Sequence, residues 1–164
     1  MKRRGSSLLE TALYLPILMV MVLGTIELAR VTYTYYSIQK VLYTIARYVG
    51  TQQGVNFCDD TDTTVQIAKT YALTGTTDGS TDPFILGLTV DQIQVRIERY
   101  TAATGDIGVC DCSAAGCDVA NGGSAPDYIV VSIPDGYPVT LTIPKLPLDP
   151  ILLKPRVRVP HQGT

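Results

Sequence analysis

A long uncharged stretch near the N-terminus constrains this chain more than any other feature. The sixteen residues 11–26 contain no charged side chain, and most of them are Leu, Ile, Met or Val. A lipid bilayer core requires about 20 consecutive, mostly apolar residues in a helix. Leu8 to Ala29 provides that length if Glu10 and Glu27 lie near the two interfaces. The sequence therefore predicts one membrane-spanning helix.

The residues on either side of this stretch predict its orientation and its retention. Lys2, Arg3 and Arg4 precede it, and basic residues favour the cytoplasmic side of a membrane. A small-x-small cleavage site, which would follow a secretory signal, is not found after the stretch. We therefore expect a single-pass anchor with a cytoplasmic N-terminus. Pro16 lacks a backbone N–H, so we expect a kink or local melting of the helix there.

Beyond the apolar stretch, hydrophobic residues continue in steps of three and four. This spacing places them on one face of a helix, and Gly50 is a suitable residue for the helix end. We predict one helix over residues 6–50, with a lower half in lipid and an upper half packed on a domain. The predicted apolar seam consists of Leu28, Val31, Tyr35, Ile38, Leu42, Ile45 and Val49.

Residues 51–164 are rich in Thr, Asp and Gly and predict a small exported domain. Asp62 or Thr63 caps a short helix that ends before Gly75. Alternating residues predict strands over 91–100 and 139–143, the second after a turn at Asp135-Gly136, with a central strand over 128–133. Pro144–Pro160 is expected along a sheet edge, with a last strand over 156–159. The predicted fold class is α+β, a pilin-like arrangement of a long membrane-spanning helix packed on a small antiparallel sheet with one short extra helix.

The four cysteines all follow the apolar stretch, in the exported part of the chain. Cys110, Cys112 and Cys117 belong to a Gly- and Ala-rich loop over residues 105–126, and Cys58 lies far from them in sequence. An even number of cysteines in an exported domain favours disulfides. Zinc is the alternative, but zinc sites usually use CxxC pairs rather than CxC. We expect Cys58 to bond one loop cysteine and Cys117 to bond the other.

Other functional classes receive little support from the residues present. His161 is the only histidine, and no base, nucleophile and orienting acid can be assembled around it. Asp59, Asp60 and Asp62 resemble part of a calcium loop but lack its remaining ligands, and loop solvation with helix capping is the preferred interpretation. The formal net charge of −2, without a basic stripe, argues against nucleic-acid binding. We expect no catalytic residue, cofactor or metal.

A short motif directly follows the basic cluster. It consists of Gly5, Ser6, Ser7, Leu8, Leu9 and Glu10, so that a glycine is followed after four residues by a glutamate at the start of an apolar helix. A carboxylate inside an apolar stretch costs roughly 2.5 kcal/mol or more at the helix centre. It is tolerated near a helix N-terminus, where free N–H groups and the helix dipole favour negative charge.

This motif resembles the processing site of type IV pilin-like proteins, and residues 1–51 are similar to the TadE-like family of minor pilin-like proteins in Flp-type tight-adherence systems. The similarity includes Glu10, Leu15-Pro16, Gly24, and Glu27 with Arg30 at the end of the span. Thr11 departs from the family, which usually has an aromatic residue there.

The resemblance implies that a prepilin peptidase removes residues 1–5 by cutting between Gly5 and Ser6. Glu10 then becomes the fifth residue of the mature chain. In an assembly it would pair with the α-amino group of a neighbouring Ser6 and set the axial register; capping of its own helix is the alternative. Other pilin-like subunits, an assembly platform and the bilayer are the implied partners.

Two functional hypotheses follow. In the first, the chain is a structural minor pilin-like subunit that takes part in assembly of a Flp/Tad-type pilus for adhesion or secretion. In the second, it is a signal-anchored exported ligand-binding module outside any pilus. In both, the C-terminal domain is periplasmic or extracellular.

Overall fold

The structure is a computed structural model that describes residues 4–102, 105–113, 116–142 and 149–162, without the side chains of residues 4–9 and 121. Lys2 and Arg3 of the basic cluster, and Ile143 and Pro144 of the predicted C-terminal strands, lie outside these ranges. The predicted α+β class with a long N-terminal helix is confirmed.

One helix, α1, extends from Arg4 to Gly50 and includes Pro16. The local melting considered for Pro16 is wrong, because the helix is continuous across it. At about 1.5 Å per residue, its 47 residues span roughly 70 Å. A helix of this length exceeds the diameter of a small domain, so only part of it is covered by the rest of the chain.

The second helix, α2, covers Thr63–Thr74 and has the caps that the sequence predicts. The Asp62 carboxylate accepts hydrogen bonds from the backbone N–H groups of Thr64 and Val65, at 2.8 and 3.2 Å. Gly75 ends the helix with φ +79°, a left-handed conformation that favours glycine. Val65, Ala68 and Ala72 are buried, as expected for one apolar face.

The strands that the structure describes are β1 Gln94–Thr101, β2 Asp106–Val109, β3 Tyr128–Ser132, β4 Tyr137–Val139, β5 Ile151–Leu153 and β6 Arg156–Pro160. The main sheet has four of them, antiparallel, in the order β2-β1-β3-β6. In this sheet β3 pairs with β1 through Ile97 opposite Ile129, and with β6 through Val159 opposite Ile129. β4 and β5 form a separate two-stranded ribbon.

The hydrophobic core lies where the upper half of α1 crosses this sheet. Ile38, Leu42, Ile45 and Val49 are fully buried, as the predicted seam requires. The seam is wrong at its lower end, where Leu28 is 68% exposed and Val31 is half-buried. The domain already contacts α1 at Arg30, so Leu28 lies on a side of the helix that the domain does not cover. Full burial of the seam begins at Ile38, nearly three turns after Leu28.

Two predicted features of the sheet are also wrong. The connection over residues 105–126 is not only loop, because β2 forms there and pairs with the end of β1. The strand predicted over 139–143 instead covers Tyr137–Val139 and pairs with β5. Short strands are decided by long-range pairing, which residue alternation does not reveal.

The outer face of the sheet carries a buried carboxylate between two arginines. Glu98 is 7% exposed; it accepts from Arg156, and its Oε2 lies 2.6 Å from Arg158 Nε. The Arg158 guanidinium lies 3.7 Å from the centre of the Tyr128 ring, within cation–π range. This cluster joins β1, β3 and the edge strand β6.

Candidate functional site

The predicted processing residues lie in the first turns of α1. The peptide bond between Gly5 and Ser6 is inside the helix, one residue after its start at Arg4. Ser6 and Glu10 are four residues apart, which places them about one helical turn and 6 Å apart along the axis. If residues 1–5 are removed, the new α-amino group and the Glu10 carboxylate share one face of the helix end.

The segment that follows is exposed along its whole length. Every side chain from Thr11 to Ile26 is exposed, and Val20 reaches 69%. The core helix of a water-soluble domain would instead be mostly buried. By length and hydropathy α1 qualifies as a membrane span, with none of the most apolar window buried. One N-terminal apolar helix can thus cross a bilayer, consistent with a single-pass membrane protein.

Arg30 marks the point where the helix meets the domain. Its guanidinium lies 2.9 Å from Glu27 Oε2, an ion pair by distance that lacks hydrogen-bond geometry. It also donates to the carbonyl oxygen of Thr140 and to Thr142 Oγ1, the latter at 3.2 Å. These contacts attach the segment after β4 to the first turn of α1 beyond the apolar stretch.

The four cysteines form two disulfides, with pairs Cys58–Cys112 and Cys110–Cys117. In each pair the Cα atoms are separated by less than 6 Å, at 5.4 and 5.6 Å, within the normal range. This pairing agrees with the expectation that Cys58 bonds one loop cysteine and Cys117 the other. The first disulfide connects the segment before α2 to the loop after β2.

Metal binding is poorly matched to this sulfur cluster. The sulfurs of Cys58, Cys112 and Cys117 lie within 4.8 Å of one another, a spacing that a metal ion could bridge. Zinc binds the thiolate form of cysteine, however, and all three sulfurs belong to disulfides. The cluster stabilises the loop in this oxidised form.

Polar contacts to backbone atoms reinforce the same loop. Asp118 is fully buried, and its Oδ2 accepts the backbone N–H of Phe57 at 2.5 Å. Arg99, on β1, donates to the carbonyl oxygens of Gly116, at 2.8 Å, and Ser124. A side chain at Gly123 would place its Cβ only 2.1 Å from the Gly116 oxygen, so the loop closes tightly there.

The three aspartates that resemble a calcium loop have other partners. Asp59 accepts from the backbone N–H and the hydroxyl of Thr61, at 2.8 and 2.6 Å, and these bonds lower the pKa of Asp59. Asp60 lies 3.5 Å from Arg96, and Asp62 caps α2. Their contacts agree with the preferred interpretation of capping and loop charge.

An open groove lies between α1, α2 and the loop before β1. Its volume is about 690 Å³, and its polar lining includes Lys40. Apolar side chains at its rim are well exposed, notably Phe84 at 70% and Leu86 at 89%. The aromatic residues in its lining are Tyr33, Tyr71, Phe84 and Tyr137. The groove has the size of a small-molecule or side-chain pocket, although it is not enclosed.

A family model described as TadE-like protein matches residues 5–47. This part of α1 is therefore similar to the TadE-like family. The match begins at Gly5 and ends within the buried half of α1, and it confirms the resemblance inferred from Glu10 and the residues around it. Residues 48–164 lie outside the match. No curated protein and no solved structure matches the chain.

Several residues that organise the site escaped the sequence analysis. Asp118 and Arg99 act on backbone atoms distant in sequence, which no local pattern reveals. Lys69 lies on the buried face of α2, where burial lowers its pKa and nearby Asp60 and Asp91 oppose the shift. Arg30 was noted in the sequence at the end of the span, but its bonds to Thr140 and Thr142 were not predicted.

The disulfide pairs make a direct prediction. Protease digestion of the protein purified without reductant should yield one peptide pair linked through Cys58 and Cys112, and the loop closed by Cys110 and Cys117. Cys58→Ser should lower the free energy of unfolding by about 2–4 kcal/mol, because a long closed loop is lost.

The matched control is Ser113→Ala, which removes an exposed hydroxyl in the same loop that donates to the neighbouring Asp111 carboxylate. It should leave stability nearly unchanged. Four alkylated thiols in the protein purified without reductant would refute the disulfides altogether.

Proposed function

We propose that this protein is a structural, non-catalytic minor pilin-like subunit that takes part in assembly of a Flp/Tad-type pilus. The observation that carries this proposal is the TadE-like segment at residues 5–47, in which Gly5, Ser6 and Glu10 open an exposed apolar helix. The TadE-like match supports an association with a Tad pilus. The role of the subunit, its processing and its partners are the proposed part.

In this proposal the domain is exported while Lys2, Arg3 and Arg4 remain on the cytoplasmic side. A prepilin peptidase cuts between Gly5 and Ser6 at the inner face of the membrane. Proteases bind their substrates in extended form, so the first turn of α1 must unwind there. Glycine in a helix is less favourable than alanine by roughly 0.5–1 kcal/mol, which makes Gly5 a suitable residue beside the scissile bond. Removal of the leader lowers the formal net charge of the chain from −2 to −5.

After cleavage, α1 begins at Ser6 and its exposed apolar surface becomes the assembly surface. Side chains such as Leu18 and Val22, 59% and 58% exposed, can pack against lipid or against the N-terminal helices of other pilin-like subunits. Glu10 would then lie in an apolar bundle, where an unpaired carboxylate is costly. Pairing with the α-amino group of a neighbouring Ser6 removes that cost in one axial register only.

The domain contributes rigidity to this subunit. Two disulfides and the Asp118 contact hold the loop after β2 against the segment before α2. A disulfide-stabilised domain is suited to the periplasmic or extracellular side. Adhesion or secretion as the purpose of the assembled pilus is supported by the TadE-like resemblance alone.

The alternative is a signal-anchored exported module that binds a ligand outside any pilus. The groove lined by Tyr33, Tyr71 and Phe84 is the specific feature that favours it. The two functions differ at the N-terminus, because an anchored module retains residues 1–5 and a pilin-like subunit loses them.

The first prediction concerns cleavage. N-terminal sequencing of the membrane form should give a chain that begins at Ser6, and Gly5→Ala should cause the uncleaved form to accumulate. Gly24→Ala is the matched control, since it adds a methyl group to the same helix where no atom lies within 4 Å of the new Cβ. A wild-type chain that begins at Met1 or beyond Thr25 would contradict the proposal.

The second prediction separates cleavage from assembly. Glu10→Gln should leave processing normal but strongly reduce recovery of the subunit with sheared pili, because the neutral side chain cannot pair with an α-amino group. Glu27→Gln, at the other end of the apolar stretch, is the control and should be recovered at the wild-type level. Equal recovery of Glu10→Gln and the wild type would exclude the register role and leave helix capping.

A further inference from the structure

The two disulfides are neighbours in space, and three of their four sulfurs form a compact group. Cys58 Sγ lies 3.8 Å from Cys117 Sγ, although each is bonded to a different partner. The sulfurs of Cys58, Cys112 and Cys117 all lie within 4.8 Å of one another. In thiol–disulfide exchange a thiolate attacks a disulfide sulfur directly. A thiolate released at either bond would therefore already lie beside the other bond.

The four cysteines differ in their access to solvent. Cys117 is only 3% exposed and belongs to the hydrophobic core. The other three cysteines are half-buried and line an open surface pocket of about 420 Å³. The reactivity of a cysteine depends on its accessibility and on the stability of its thiolate. Reduced sulfur is thus better accommodated at the pocket than at Cys117.

Reduction of either disulfide permits the same rearrangement. If a dithiol opens the Cys110–Cys117 bond, the Cys117 thiolate can attack Cys58 Sγ and displace the sulfur of its partner. If the dithiol opens the Cys58–Cys112 bond instead, the Cys58 thiolate can attack Cys117 Sγ. Both routes form a Cys58–Cys117 disulfide. Both leave thiols at Cys110 and Cys112, because these are the two displaced sulfurs.

The surroundings of the sulfurs favour this product. A thiolate at Cys117 would lie in apolar surroundings, where a charge is costly, and the exchange returns Cys117 to a neutral disulfide. The free thiols appear instead at residues that line the pocket. Cys110 Sγ lies 3.1 Å from the carbonyl oxygen of Cys117, so a thiol there has a hydrogen-bond acceptor in place.

We propose that the cysteine cluster is a two-electron redox site, in which a protein dithiol reduces the chain to an inner Cys58–Cys117 disulfide and a thiol pair at Cys110 and Cys112. The dithiol gives up two electrons and two protons and becomes a disulfide, and the protein thiols receive them. The exchange between the protein's own sulfurs transfers no net electrons. This site lies outside the structural role proposed above and does not depend on it.

The rearrangement conserves the cross-link that matters most to the fold. The Cys58–Cys112 bond connects the segment before α2 to the loop after β2. A Cys58–Cys117 bond connects the same segment to the same loop, because Cys112 and Cys117 both belong to that loop. The reduced chain therefore keeps a long-range disulfide while it presents two thiols at the pocket.

Partial reduction of the wild-type protein tests this proposal. The full-length chain, purified in detergent without reductant, is treated with one molar equivalent of dithiothreitol as the dithiol. The reaction is stopped in denaturant at mildly acidic pH with excess N-ethylmaleimide, because protonation of thiolates slows further exchange. The species that carries two labels is isolated and digested without reductant, and mass spectrometry identifies its labelled and linked cysteines.

We expect the two labels on Cys110 and Cys112, together with a peptide pair linked through Cys58 and Cys117. If either original disulfide survives in the two-label species, the two bonds are reduced independently and the proposal is wrong. Appearance of four labels without a two-label species would also overturn it, since the inner disulfide should outlast the first reduction.

A double variant tests the inner pair alone. Cys110→Ser combined with Cys112→Ser leaves only Cys58 and Cys117, which should form a disulfide and give no alkylated thiol without reductant. The matched control combines Cys110→Ser with Cys117→Ser, which introduces the same number of serines and keeps the Cys58–Cys112 bond. Two alkylated thiols in the first variant and none in the control would contradict the proposal.

Discussion

The structure depends on one constraint: the two halves of a single helix, α1, suit two different surroundings, a lipid bilayer and a protein core. The lower part of α1 exposes apolar side chains from Thr11 to Ile26, while its upper part buries Ile38, Leu42, Ile45 and Val49 completely. A helix satisfies its own backbone hydrogen bonds, so it can leave lipid and enter a protein core without interruption. The position at which burial begins determines where the domain lies relative to the membrane.

The domain follows from the upper half of this helix. The buried seam requires an apolar partner surface, which β1, β3 and β6 provide through alternating residues such as Val95, Ile97 and Ile129. Because the domain is small, burial alone provides limited stability, and the disulfides and the Glu98–arginine cluster add cross-links between elements. The chain is cross-linked around the cysteine loop and exposes apolar side chains along the lower half of α1.

Much of this arrangement was predictable because it depends on residues that are close in sequence. The long helix follows from uncharged length and from three- and four-residue spacing, and α2 follows from Asp62 and Gly75. The candidate processing site follows from Gly5 and Glu10, residues that the TadE-like match includes. These features depend on residues that are close in sequence.

The features that the sequence did not predict depend on distant partners. β2 pairs with the end of β1, and β4 pairs with β5 across a long connection. Leu28 has the correct helical spacing for burial but is exposed, although Arg30 two residues later contacts the domain. Lys69 is buried at a position where spacing alone would predict an apolar residue, and Asp118 bonds Phe57 across 61 residues of sequence.

The central claim is that α1 is one rigid helix across the membrane boundary, and a distance measurement between spin labels tests it most directly. Labels on Met21→Cys and Tyr43→Cys, both exposed positions, are separated by 22 residues and should give one narrow distribution centred near roughly 33 Å along the axis in reconstituted protein. A broad distribution, or one centred well below that length, would show a flexible or broken joint and contradict the account.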